Sequence, residues 1–158
     1  MAEVLIVYYS RSGNTEKMAE LVEEGVRAAG VEVKTKRVED VKLEELLEPA
    51  GIIMGSPTYY GSMAAELKRL LDESVKYHGK LEGKVGGAFS SSGGIGGGNE
   101  TTVLDILKSL LVHGMVVQGT SQGDHYGPVA VGAPDERSAK NCRRLGERVA
   151  ALVKKLYG

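Results

Sequence analysis

Three hydroxyls, Ser10, Ser12 and Thr15, stand within one short segment around Gly13 and Asn14, with Arg11 between the serines. An apolar run precedes the segment and a helical pattern follows it. Hydroxyl donors, a glycine that permits tight backbone geometry and the free N–H groups of a helix start bind a phosphate without requiring a cation. The competing reading is that Thr15 caps the helix and the serines fill a polar turn. A second loop, Ser56-Pro57-Thr58-Tyr59-Tyr60-Gly61-Ser62, carries two adjacent rings. Aromatic rings on an exposed loop are unfavourable unless they cover something apolar, so they either stack on a planar ligand or pack on a neighbouring helix. A third, Ser90 to Asn99, is nearly bare: Ser91, Ser92, Gly93, Gly94, Ile95, Gly96 and Gly97 offer chiefly backbone. Bare backbone approaches a flat ligand closely and presents N–H donors to ring carbonyls and nitrogens. Its composition is also that of a flexible linker, but it lies between a buried strand and a helix, where loops of this length serve ligands. Together the three describe a site for a phosphorylated, planar molecule. Neither Gly-x-x-x-x-Gly-Lys-Ser/Thr nor Gly-x-Gly-x-x-Gly is present; the Gly94/Gly96 frame ends at Asn99.

The elements that must position these loops alternate from end to end. Val4–Tyr9 is a continuous apolar run, as expected for a parallel strand covered on both faces. A helix follows, with Met18, Leu21, Val22, Gly25, Val26 and Ala29 on one face and Gly30 at its end. Val31–Val38 alternates like an edge strand with one wetter face, and a short helix covers Lys42–Leu47. Gly51–Gly55 reads as a strand and Met63–Val75 as a helix with Met63, Leu67, Leu70, Leu71 and Ser74 in line. Val85–Phe89 is a strand, and Thr101–Val112 a helix with Val103, Ile106, Leu107 and Leu110 inward. Met115–Val117 begins a fifth strand that Val129–Val131 resumes beyond a polar stretch. Pro134–Leu156 is the last helix, with Ala139, Cys142, Leu145, Val149, Leu152 and Leu156 in register. Five strands and about five helices in alternation predict an α/β, doubly wound parallel sheet, whose ligands bind beyond the carboxyl ends of the strands.

The chain has 158 residues, 42% of them hydrophobic, and fits one compact domain spanning 1–158. A net charge of −1 gives no polyanion footprint, so no nucleic-acid partner is expected. A single cysteine cannot form an internal disulfide, which suits a reducing compartment. The start, from Met1 to Val7, does not read as a signal peptide, and no apolar run approaches the ~20 residues a membrane helix needs; a cytoplasmic protein with no membrane partner is expected. Cys142 falls on the apolar stripe of the last helix and reads as a packing residue rather than a nucleophile. His78 and His125 make no metal-ligand spacing with each other or with Cys142, so no metal is predicted. A phospho-acceptor receiver needs aspartates where this chain has Ser10 and Ser56. A low-molecular-weight phosphatase needs a cysteine in its first loop.

The ordered set Ser-x-Ser-Gly-Asn-Thr, Gly-Ser-Pro-Thr-Tyr-Tyr-Gly-Ser-Met and Phe-Ser-Ser-Ser-Gly-Gly-x-Gly-Gly-Gly-Asn-Glu-Thr-Thr resembles flavodoxin-like FMN proteins, most of all the WrbA-type NAD(P)H:quinone oxidoreductases. The likeness covers most of the chain, including His113-Gly114-Met115-Val116 and Tyr126-Gly127. It implies a five-stranded flavodoxin-like sheet of order 2-1-3-4-5 with helices on both faces and FMN as cofactor. It further implies phosphate at Ser10–Thr15, the ring against Pro57, Thr58, Tyr59, Tyr60 and Gly61, and ring contacts from Ser91–Gly97. His113 falls where that family places a histidine contacting FMN; the alternative is a histidine finishing a helix near the surface. The chain departs from the WrbA pattern in its short Val38 to Gly51 segment, its trimmed fifth-strand region and its lack of tryptophan, features that in the family help to build a tetramer and its active-site mouth.

Two functions follow. One is an enzyme that passes two electrons from NAD(P)H to a quinone or another redox partner, as a possible homodimer or tetramer, with no catalytic acid or base of its own. The other is a flavodoxin-type electron carrier. Carriers tend to be acidic and to set carboxylates beside the flavin, whereas this chain has no acid between Ser56 and Ala65 and none in the third loop before Glu100. That favours the enzyme.

Overall fold

A computed structural model describes residues 2–158; Met1, the first residue of the start read above as lacking a signal peptide, lies outside them. The chain runs β1 (Glu3–Tyr8), α1 (Asn14–Ala28), β2 (Glu32–Arg37), β3 (Gly51–Tyr59), β4 (Ser62–Met63), α2 (Ala65–Glu73), β5 (Val85–Ser92), α3 (Asn99–Val112), β6 (Val116–Val117), β7 (Val129–Val131) and α4 (Glu136–Tyr157). The sheet order is β2-β1-β3-β5-β6, with β7 also on β5. Val116 pairs with Val85 and Val129 with Ser90, both parallel, so β6 and β7 are two halves of one interrupted fifth strand. The expected order and the split fifth strand are both present.

Alternation along β1 sorts the core into two layers. Val4, Ile6 and Tyr8 face α1 and α4, where they meet Met18, Val22, Leu145 and Val149. Leu5 and Val7 face α2 and α3, against Leu67, Leu71, Ile106 and Leu110. Cys142 is buried in the first layer, and burial, then Asp124, pushes its thiol up to about 12, so it packs and does not react. In α4 the buried stripe shifts from the expected one: Gly146, Ala150 and Val153 are inside, while Leu156 is half exposed. The reason is close approach at mid-helix. A Cβ on Gly146 would lie 2.1 Å from the Val22 carbonyl, and one on Gly25 2.0 Å from the Arg143 carbonyl. The two helices meet backbone to backbone there, which rotates α4 around that contact.

Two strands run further than their apolar residues suggest. β3 continues through Ser56–Tyr59 and β5 through Ser90–Ser92. Their polar groups are satisfied across the sheet: Ser90 Oγ donates to the Ser56 carbonyl at 2.7 Å, Thr58 and Ser90 hydroxyls meet at 3.0 Å, and Ser56 Oγ accepts the Ala64 N–H at 2.8 Å. Ser56 and Ser90 are fully buried at no cost in unpaired groups. Met63 accordingly belongs to β4, and α2 begins only at Ala65, ending in a 3-10 turn at Ser74–Tyr77. The expected helix over Lys42–Leu47 is a shorter 3-10 turn, Leu43–Leu46.

Candidate functional site

The three loops converge at the carboxyl edge of the sheet on a cleft of about 360 Å³. Arg11, Ser12 and Asn14 line it from the first loop, Pro57, Thr58 and Tyr59 from the second, and Ser91, Ser92 and Gly93 from the third. Each loop leaves a parallel strand that ends at the same edge, so strand order brings them together.

Gly13 sits at the N-cap of α1 with φ 98, a left-handed conformation that glycine adopts freely. It has no side chain to cap the helix, so the first-turn amides are left as donors toward the cleft. Ser10 Oγ accepts the Gly13 N–H at 3.1 Å and holds the turn. Thr15 does not cap: its hydroxyl meets Ser91 Oγ at 2.8 Å and ties the first loop to the third. That removes the reading of this segment as a self-capped helix start.

The second loop is a tight hairpin. Thr58 pairs with Met63 and Tyr59 with Ser62, leaving Tyr60-Gly61 as a two-residue turn. Both have positive φ, 49 at Tyr60 and 79 at Gly61, as a type I′ turn requires. Tyr60 carries its ring fully into solvent. Tyr59 is partly exposed and meets Tyr9 edge-on at 6.4 Å. The Tyr60 ring therefore does not pack on a neighbouring helix.

The third loop is held at both ends. Ser92 Oγ donates to the Gly94 carbonyl, Gly97 N–H donates to the same oxygen, and Asn99 Nδ2 donates to Ser92 Oγ. Gly96 has φ 74, and Ile95 points out, almost fully exposed. Gly98 (φ 109) touches the hairpin: a Cβ there would lie 2.9 Å from Gly61 Cα. Thr101 Oγ1 donates to the Gly61 carbonyl at 2.9 Å and clamps the two loops together. Among the described residues the cleft walls hold one guanidinium, that of Arg11, and no carboxylate.

A family model described as flavodoxin matches residues 6–110. The chain belongs to the flavodoxin family. It is 43% identical to a flavodoxin of Aquifex aeolicus, over 97% of this chain and 88% of that protein. It is also 34% identical to an NAD(P)H dehydrogenase (quinone) of Archaeoglobus fulgidus, over 99% of this chain and 100% of that one. Among solved structures, a WrbA-like flavodoxin from Agrobacterium tumefaciens superposes with a TM-score of 0.84 at 26% identity, covering 98% of this chain and 99% of the other.

FMN is the cofactor of this flavodoxin-family chain, and the residues present fit it. An uncapped helix start with hydroxyls beside it suits a dianion. A partly exposed tyrosine, Tyr59, lining the same cleft as Gly93 suits a flat heterocycle.

His113 does not line this cleft. It ends α3, two residues before Met115, and Val116 pairs with Val85 at the start of β5. The cleft is at the other end of β5, about 23 Å away for a strand of this length. α3 runs antiparallel to the strands, so a residue closing it returns to the opposite edge. There His113 is buried, its Nε2 bonded to Ser74 Oγ at 2.7 Å, in a separate hollow with Val75 and His78. Its Nδ1 has no hydrogen-bond partner among the described residues. Burial, then the neighbouring His78, holds its imidazole below the usual range. Folding therefore favours the neutral ring, while the unfolded chain takes up a proton near the ordinary value of about 6.5. Stability should be flat above that pH and fall as pH drops through the depressed folded value. Urea midpoints at pH 7.5 and 5 test this: His113→Gln should lessen the acid loss, and an unaltered pH profile would acquit His113.

Gly132, at the end of β7, lines the cleft and was not singled out from sequence. Its position just past Val129–Val131, at the carboxyl end of a strand, was the available signal. Glu100, Asp124, His125 and Tyr126 line a separate hollow of about 130 Å³.

Proposed function

We propose that FMN lies with its phosphate at Ser10–Thr15 and its ring between Thr58–Tyr60 and Ser91–Gly97, and that the protein is a two-electron oxidoreductase of the NAD(P)H:quinone type. Bound FMN would supply the redox chemistry, taking two electrons from a nicotinamide and passing them to the acceptor. The chain binds and orients. First-turn amides of α1, with the Ser12 hydroxyl and the Asn14 side chain, hold the phosphate. Tyr60 covers one side of the ring, and the glycine backbone meets its polar edge.

The observation that carries the reading is a cleft with Arg11 and no carboxylate in its walls. Negative charge beside the ring would oppose further negative charge on it. Its absence eases acceptance of the second electron, by the same logic that shifts a pKa. The protein should therefore be yellow as purified, bleach on addition of NADH or NADPH, regain colour with a quinone, and titrate in one two-electron wave.

A second reading, an electron carrier, is favoured by length. The alignment to the Archaeoglobus quinone dehydrogenase spans 190 positions against 158 residues here, so that relative has segments this chain lacks, whereas the alignment to the Aquifex flavodoxin spans 162. Yellow protein inert to both nicotinamides, titrating in two separated one-electron waves, would decide for the carrier.

A further inference from the structure

The end of β2 reaches into the first loop. Arg37 donates from Nη2 to the Ser10 carbonyl at 2.5 Å, and its guanidinium lies 5.6 Å from the Tyr8 ring centroid. Its Nη1 stands 3.7 Å from Glu16 Oε2 and its Nε 3.3 Å from Glu39. Tyr8 donates its phenol to the same Glu16 oxygen at 2.8 Å. Burial, then that hydrogen bond, pushes the phenol up to about 12, so it stays a donor at working pH.

Two features of this cluster matter to an anion. Backbone that binds a phosphate presents its N–H groups, so its carbonyls must turn elsewhere. Ser10 is the first residue of the loop, and its carbonyl is bound by Arg37. Glu16 lies in the first turn of α1, where a carboxylate interacts well with the helix dipole but competes with a bound dianion for it. Arg37 and Tyr8 both engage that carboxylate.

We infer that Arg37 is a positioning residue for the phosphate: it holds the Ser10 carbonyl turned away and offsets Glu16, without touching the ligand. This rests on the proposed placement of the FMN phosphate at Ser10–Thr15. FMN and riboflavin differ only in the phosphate, so their binding to the flavin-free protein, followed by fluorescence quenching, isolates the effect. Arg37→Met should weaken FMN roughly tenfold and riboflavin by less than about twofold, the size of one charge-assisted contact. Equal losses for both, or no loss, overturn the inference. If the unaltered protein binds FMN and riboflavin alike, the phosphate placement fails instead. Should Arg37→Met not fold, as judged by its thermal melt, Arg37→Gln serves. It keeps a polar side chain but removes the charge that offsets Glu16, and an unchanged FMN-to-riboflavin ratio in it overturns the inference equally.

Discussion

Tyr60→Asn should weaken FMN binding by roughly 1–3 kcal/mol, on the scale of base–aromatic stacking, while stabilising the flavin-free protein by about 1 kcal/mol. The two effects have separate causes. Tyr60 occupies the first position of a type I′ turn at φ 49, where a side chain other than asparagine, aspartate or glycine is strained. Its ring is fully exposed and contributes no packing that would offset the strain. Strained residues persist at sites where the strain serves a ligand. Asparagine relieves the backbone and removes the ring together. Fluorescence titration with FMN and urea unfolding without it read the two terms independently. Unchanged FMN affinity would move the stacking role to Tyr59, and lower stability would mean that the turn is not strained.

Gly146→Ala should destabilise the protein by about 3 kcal/mol, at the upper end for overpacking, and lower Tm by roughly 10 °C for a chain of this size. The added methyl would stand 2.1 Å from the Val22 carbonyl and 2.8 Å from the Val26 amide nitrogen. Both are backbone atoms of α1, so no rotamer change relieves the clash, and α1 and α4 must part along a face that buries Met18, Val22, Leu145 and Val149. FMN affinity should move much less, because the contact lies at mid-helix and the phosphate amides are at the start of α1. A melt within about 2 °C of the unaltered protein would show that the helices separate freely, contrary to the close-packed core expected of such interiors.

Much of the site was legible because its signals are short-range. Ser10 to Thr15 joins an apolar run to an amphipathic pattern, so the strand end, glycine and helix start are adjacent in the chain. The two tyrosines and the run of glycines announce themselves by type alone. The ends of β3 and β5 were not legible. Ser56, Pro57 and Thr58, like Ser90 to Ser92, have loop composition, and what makes them strand is pairing of each with the other, Ser56 with Ser90 and Pro57 with Ser91. The Tyr60-Gly61 hairpin was hidden for the same reason, since β4 is two residues long and shows no alternation of its own.

The amino-acid sequence alone determined the alternation of strands and helices, the burial of both faces of β1, and the chemistry offered by each of the three loops. These depend on residue type and on periodicities of two to four residues. Only the tertiary structure decided which groups meet: Thr15 with Ser91, Thr101 with the Gly61 carbonyl, Arg37 with the Ser10 carbonyl, and Gly25 with α4. It also decided which do not, sending His113 to the far edge of the sheet because α3 runs back against the strands. Such contacts join distant parts of the chain, and their geometry follows from strand order and helix direction, which no local pattern encodes.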